Sequence, residues 1–444
     1  MQVRELISDL FPDSRGELVI GGLAISELTQ RFGTPLFVYD ESVLLRKWNL
    51  LRSTFPERFN IHYSVKANPN LTLLRWFLDH GAGLEIASDG ELFQALEARC
   101  PPDRILFAGP GKTASQIELA LRKNIAEIHA ESLTELQRIS SSAERLNVVA
   151  PVALRINPDA AAEGGAMRMG GVASAFGIDE EQLDEALTYA LTSPSIQLVG
   201  IHLFAGTQVL SSDVLLAQYA KGLQLGRRVA ARLRRPLQTL DFGGGLGIPY
   251  FSSDDALDMQ HLKAGLQTLM SEFEQDPSLA GTRFVIEPGR FLVGEAGVYL
   301  AGVVDVKLSR GKRFVILDGG MNHHLAASGN LGQTIKRNFP VVVANRLDEA
   351  EQDTAQIVGP LCTPLDVLGR ALPVPRVEVG DLMAILQSGA YARSASPLGF
   401  LSHCSPAEVL VGNRQAKLIR ERGTFSDMVR DMSDVRTTSM SQQY

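Results

Sequence analysis

A lysine stands directly after an apolar run in HYSVKANPN, at Lys66. An amine drawn partly out of water loses preference for its charged form, which makes it a nucleophile toward an aldehyde. The plainer reading is a lysine whose stem lies on apolar surface while its head stays in water. The run DFGGGLGIPY places Gly243, Gly244 and Gly245 together, with backbone N–H groups unobstructed by side chains. Such a loop suits a phosphate, and it equally suits a tight strand-to-helix turn. The G-x-G-x-x-G spacing is absent, so it is not a dinucleotide fingerprint. Glu287 and Arg290 fall in EPGR. They could form an ordinary ion pair, or Glu287 could keep an aromatic ring nitrogen protonated and make that ring an electron sink. His202, in GIHLFAGTQ, is either a satisfied core histidine or an imidazole stacked on a flat aromatic group. Thr207 in the same run offers a hydroxyl to a phosphate or caps a loop. Cys362 and Asp366 occur in GPLCTPLD, and Tyr391 in SGAY. Taken alone, Cys362 reads as a small buried hydrophobe and Tyr391 as a core aromatic.

These residues need elements to hold them. Short apolar runs alternate with helix-like stretches such as LTLLRWFLDHG and ELFQALEARC. The pattern predicts strands at Ile61–Val65, Leu84–Ala87, Ile105–Ala108, Glu127–Ala130, Val152–Asn157, Leu198–Leu203, Thr239–Phe242 and Phe284–Glu287. Eight strands alternating with helices predict an α/β fold, a (β/α)8 TIM-like barrel, over a doubly wound open sheet. The polar residues keep phase with it. Lys66 follows the first strand, Glu85 to Ser88 close the second, Arg155 lies in the fifth and His202 in the sixth. The glycines follow the seventh strand, and Glu287 and Arg290 the eighth. Barrels of this kind keep their chemistry at the C-terminal strand ends.

Beyond Arg290 the texture changes. VYLAGVVDVKLSR, RFVILDGG, TAQIVGP and DLMAILQSGAY read as strands with turns. The expected division is a barrel over 34–290 and a β-rich, β-barrel-like domain over 291–423 joined by the segment 1–33. A polar tail over 424–444 is expected to be disordered.

Composition sets bounds. The chain has 444 residues, 21% of them charged, and a net charge of −7, which gives no electrostatic reason to expect nucleic acid or an anionic membrane as partner. No secretory signal and no run long enough to span a membrane is read in it. The cysteines Cys100, Cys362 and Cys404 are few, odd in number and widely spaced, which argues against a disulfide framework and against a metal site. A cytoplasmic location is expected.

In one order along residues 63–391 stand Y-x-x-K-A-N, H-x-x-x-G-T, G-G-G, E-P-G-R, C-x-x-x-D and G-A-Y. Together they resemble the fold-type III decarboxylases that use pyridoxal 5'-phosphate, the family of diaminopimelate, ornithine and arginine decarboxylases. The resemblance spans roughly residues 30–420. It implies that Lys66 holds the cofactor as a Schiff base and that His202 stacks on its ring. Thr207, Gly244, Gly245 and Arg290 would hold the phosphate, with Tyr391 alongside. Glu287 would pair with the ring nitrogen and Arg155 would support the ring. Cys362 would protonate the substrate carbon after carbon dioxide leaves. Cys362 and Asp366 would reach the other subunit's site, which implies a homodimer with shared active sites.

Some positions depart from the diaminopimelate pattern. Thr363 follows Cys362 where those enzymes usually carry a Glu that reads the substrate's distal ammonium. GGMNHHLAASGNLGQTIKRNFP replaces their Arg-Pro-x-Leu-Tyr segment, and Glu85 replaces the usual Asp. FAGPGK, MRMGGVASAFGID, GTQ, MNHHLAASG, GPLCTPLD and SASPLGFLSH look closer to a subgroup acting on amino acids linked to a carrier protein. That subgroup includes the glutamyl-carrier-protein decarboxylase of butirosin-type synthesis, with relatives in exosortase-associated gene clusters. The expected activity is therefore decarboxylation of an aminoacyl group, with an acyl carrier protein as a candidate partner and Thr363 and Asp366 as substrate-facing residues. The alternatives are a decarboxylase of a free amino acid, a racemase of the same fold, and a non-catalytic cofactor-binding protein. Racemases of this fold resemble one another in setting Arg against the ring nitrogen, so Glu287 speaks against that reading. Retention of both Lys66 and Cys362 speaks against a non-catalytic one.

Overall fold

The computed structural model describes residues 3–159, 165–168, 173–203, 206–273 and 276–432. Most of the tail expected to be disordered, part of the run MRMGGVASAFGID, and residues 204–205 lie outside the described residues. Within the tail, Phe425–Met428 form one 3-10 turn that Thr424 and Asp427 cap reciprocally.

Eight parallel strands close into a barrel: Phe59–Ser64, Gly83–Ile86, Ile105–Phe107, Glu127–Ala130, Ala150–Asn157, Ile196–Leu203, Thr239–Asp241 and Arg283–Ile286. Each pairs with its sequence neighbour, and the eighth closes on the first through Phe284 opposite Phe59. The expected strands are all present, with ends displaced by one or two residues. Val65, expected in the first strand, instead opens a single 3-10 turn, Val65–Ala67, which carries Lys66.

Helices cover the barrel because their first turns are capped and one face is apolar. Leu71–Asp79 starts at Asn70, whose side chain accepts from the Thr72 N–H, and it buries Leu73, Leu74, Trp76 and Phe77. Phe77 stacks on Tyr63 of the first strand, ring centroids 4.1 Å apart. Ser88, Thr113, Ser132 and Ser211 cap four further helices in the same way. Each such cap contributes about 1 kcal/mol.

The second sheet is assembled from distant parts of the chain. Gly297–Ser309 is its spine. It pairs with Lys312–Leu317 at one end and with Leu382–Ile385 at the other. Asp353–Val358 and Val367–Val374 extend it beyond Lys312–Leu317. Leu36–Asp40 lies within the 34–290 span expected for the barrel, yet it pairs antiparallel with Gly297–Leu300 and parallel with Ala407–Val411. All five of its residues are buried, which an interior strand of this sheet requires. Asp40 then turns the chain toward the barrel by capping the helix Glu41–Thr54. The preceding segment packs on the same sheet: Leu18 N donates to Ala344 O, and Gly21 N donates to Asp40 Oδ2.

Candidate active site

Lys66 emerges from the end of the first strand with 43% of its side chain exposed. A ligand entering the barrel mouth can therefore reach it. Its Nζ lies 3.0 and 2.8 Å from the two carboxylate oxygens of Glu85, which end the second strand. Glu85 is buried and also accepts from the Ser64 hydroxyl. Burial alone would lower the Lys66 pKa, which is the sequence expectation. The Glu85 carboxylate, together with Tyr391 and Glu287, outweighs that effect, and the amine is held above its ordinary value. The loop beyond it is fastened to the second sheet. Tyr391 N donates to Ala67 O, and the Asn68 amide donates to Gly389 O and to the Tyr39 hydroxyl.

Glu287 follows the eighth strand, its N–H bonded to Gly243 O at 2.8 Å. Its carboxylate is buried; one oxygen is 3.4 Å from His202 Nε2, and Asp241 is the other acidic neighbour of the carboxylate. Asp241 lies beside it and accepts from Gly243 N. Burial raises both carboxyls. For Glu287 the His202 Nε2–H that faces it, with His129 behind and the Lys66 ammonium, reverses this and leaves it below the usual carboxylate range. Asp241 has no such counterweight, and burial and the Glu287 charge hold it well above that range. Of the pair, Glu287 carries the charge and Asp241 the proton. Burial pushes His202 down to about 4, so the imidazole is neutral at pH 7.

Gly243 and Gly245 adopt φ of +69° and +112°, a region that favours glycine. A Cβ on Gly245 would lie 3.0 Å from Gly206 O, so the loop can press against the strand Gly206–Val209 that carries Thr207. Val209 N donates to Gly245 O, fixing that contact. Gly244 between them is buried. Arg290 Nη1 donates to the Tyr250 hydroxyl at 3.0 Å, and its guanidinium lies 4.7 Å from the Tyr391 ring. Arg290 Nε is buried and has no hydrogen-bond partner among the described residues.

Arg155, in the fifth strand, is paired with Glu131 at 2.7 Å and faces the Phe176 ring. Glu131 also accepts from Gly109 N and Gly177 N, so it joins three loops of the mouth. The sequence reading missed Glu131, His129, Asp241 and Tyr250. The signal for the first two was the i, i+2 run of polar residues at Glu127, His129 and Glu131 across a strand end.

The structure joins Lys66, His202, Glu287, Arg290 and Tyr391 to the glycine loop. It does not join Cys362, Thr363 or Asp366 to them. Cys362 is exposed on a loop of the second sheet, and Thr363 is half-buried. Asp366, expected to face substrate, is buried, and its two oxygens accept from Met321 N and Leu361 N. It orders the loop that presents Cys362.

These side chains show what group would fit. An ionised, buried Glu287 oxygen wants a cationic N–H, Arg290 Nε wants an anion, and the neutral His202 ring can lie against an aromatic face. A phosphate-bearing aromatic ring with a basic nitrogen and an aldehyde meets all three and reaches Lys66. Pyridoxal phosphate has these features.

Fold and site together define a barrel enzyme built around that cofactor. Residues 41–294 match the family model described as the pyridoxal binding domain of pyridoxal-dependent decarboxylases. The chain is 40% identical over 408 residues to the L-glutamyl-(BtrI acyl-carrier protein) decarboxylase of Niallia circulans, covering 91% of this chain and 95% of the relative. It is 33% identical to the diaminopimelate decarboxylase of Aquifex aeolicus, covering 95% and 96%. A crystal structure of diaminopimelate decarboxylase from M. jannaschii with L-lysine superposes with a TM-score of 0.87 at 28% identity, covering 95% and 97%. The chain belongs to the pyridoxal-dependent decarboxylase family. It is a carboxy-lyase that uses pyridoxal phosphate to decarboxylate an amino-acid group. Among the described residues, no helix is long and apolar enough to cross a membrane.

Proposed function

We propose that the substrate is an aminoacyl group tethered to an acyl carrier protein, with glutamyl as first candidate, and that the working form is a homodimer with shared active sites. The observation that carries the substrate reading is the 40% identity, over nearly the whole of both chains, to a decarboxylase named for a glutamyl carrier protein. Thr363 supports it, because a site without a carboxylate there would desolvate a second substrate ammonium without a partner. A tethered substrate also brings binding energy from a remote arm, which can lower the barrier at Cα.

Bound pyridoxal phosphate supplies an electron sink for the pair left at Cα when carbon dioxide departs. The protein's own groups do the rest. Lys66 Nζ is the amine that holds the cofactor, and the Glu85 carboxylate bonded to it holds the side chain in place. Glu287, ionised, keeps a proton on the ring nitrogen. His202 flanks the ring. Thr207, Gly244, Gly245 and Arg290, with Tyr391, hold the phosphate. Arg155 braces the mouth through Glu131. The Cys362 thiol of the partner subunit returns a proton to Cα. Its exposure on an ordered loop supports this, since the thiol is presented outward. Borohydride treatment of the yellow holoenzyme should fix the cofactor on Lys66, read by peptide mass; a label on another lysine would sink the assignment.

The second reading is a decarboxylase of free diaminopimelate, favoured by the 33%-identical relative and by the superposition. Carbon dioxide release should decide. We expect a higher kcat/KM for a glutamyl-carrier thioester than for free glutamate or diaminopimelate, and Thr363→Glu should move preference toward diamino substrates. Efficient turnover of free diaminopimelate with none of the thioesters would reverse the ranking.

A further inference from the structure

Barrels of this type ordinarily fill their interior with layers of branched aliphatic side chains. Here the polar side chains Glu127, His129, His202, Thr239, Asp241 and Glu287 run along the interior, all buried. Removing so many polar groups from water is costly unless each is bonded. Yet among the described residues Glu127 Oε2 and His129 Nε2 have no hydrogen-bond partner.

From these atoms a series of short steps leads to Glu287. Glu127 Oε2 is 3.6 Å from His129 Nε2. His129 Nδ1 is 2.9 Å from His202 Nδ1. His202 Nε2 is 3.4 Å from Glu287 Oε2. The lower end meets a chamber of about 70 Å³ at the barrel floor, lined by His62, Asp103, Arg104, Glu127 and Arg283 among others. At about 10–15 Å³ per molecule, it has room for several waters. The Arg283 side chain is 57% exposed, so the chamber adjoins bulk solvent.

We propose that this series is a proton path from the barrel floor to Glu287. It rests on the reading of Glu287 as the partner of the ring nitrogen. With His129 protonated at Nδ1 and His202 at Nε2, a proton arriving through Glu127 binds His129 Nε2. The His129 Nδ1 proton passes to His202 Nδ1, and the His202 Nε2 proton passes to Glu287. One proton enters and one is delivered; no bond between heavy atoms changes and nothing is oxidised. Such a relay needs rings that are neutral at rest, and burial keeps His202 and His62 neutral at pH 7 by pushing each to about 4. The other groups that set the field along the path are Asp241, Arg155 and Lys66 near the top, and Arg283 and Arg104 at the floor. A large tethered substrate covers the mouth, whereas the floor stays open. Glu127 and His129 are thus positioning residues that act through His202.

The test uses 15N-histidine-labelled protein. In the cofactor-free chain at pH 7, nitrogen NMR should find His202 neutral, with one of the two facing Nδ1 atoms protonated and the other bare. Two bare or two protonated Nδ1 atoms would overturn the relay whatever the cofactor does. In borohydride-fixed holoenzyme, which cannot turn over, the His202 ring N–H should exchange with solvent about tenfold or more slowly in Glu127→Gln and in His129→Phe than in the unaltered chain. Glu127→Gln is nearly isosteric and carries the test should His129→Phe fail to fold. Unchanged exchange in the folded variants would overturn the path. Misplaced borohydride label would instead fault the reading of the site and leave the cofactor-free tautomer result standing.

Discussion

Glu287→Gln should lower kcat about a hundredfold or more, a loss of about 2.7 kcal/mol or more of transition-state stabilisation. The side chain keeps its size, and the backbone bond from Glu287 N to Gly243 O is untouched. What is lost is the charge that the His202 Nε2–H and the Lys66 ammonium help hold on this carboxylate against the cost of burial. A neutral amide does not keep a ring nitrogen protonated, and the electron sink is drawn on mainly in the transition state. Cofactor content, read from absorbance, should largely survive because Arg290 and the glycine loop remain. Near-normal turnover by this variant would mean that the ring nitrogen lies elsewhere.

Lys66→Ala and Cys362→Ala should each be nearly inactive alone, yet regain activity when mixed under conditions that exchange subunits. If each site takes its lysine from one subunit and its thiol from the other, a mixed dimer holds one intact site and one doubly defective site. Random exchange makes half of the dimers mixed, so about a quarter of all sites should work. The structure supplies the reason to look: Cys362 is exposed and its loop is clamped by Asp366, while Lys66 and its partners sit in the barrel mouth. Complete absence of recovery, with exchange verified by mass labels, would count against a shared site.

The barrel was legible because each of its strands is buried and reads as a short apolar run before a helix signal. Glu127–Ala130 is found where the pattern put it. The strand Leu36–Asp40 was not, since LFVYD before an amphipathic helix looks like one more strand-helix unit. Only its partners, Gly297–Leu300 and Ala407–Val411, reveal the sheet it belongs to, and pairing over such separations leaves no local trace. At the site, Lys66, His202 and Glu287 announced themselves by standing at or near strand ends. The sign of the Lys66 pKa shift did not, because it is set against burial by Glu85 on the neighbouring strand together with Tyr391 and Glu287. Asp366 misled for a similar reason: a carboxylate near a reactive thiol looks like a substrate reader until its two backbone amides are seen.

The placement of Leu36–Asp40 bears on how the chain folds. One neighbour in the sheet, Gly297–Leu300, follows the whole barrel, and the other, Ala407–Val411, comes more than a hundred residues later still. The barrel is in effect a long insertion between early and late strands of one sheet. On the ribosome, this early strand leaves the exit tunnel with both hydrogen-bonding edges unsatisfied and Leu36, Phe37, Val38 and Tyr39 exposed until Ala407–Val411 has been made. The neighbouring barrel can close first from contacts nearer in sequence, and only the last strands seal the sheet. High-separation pairings of this kind fold slowly. Overproduction should therefore fail by aggregation of chains that have made a barrel and are waiting for their second domain.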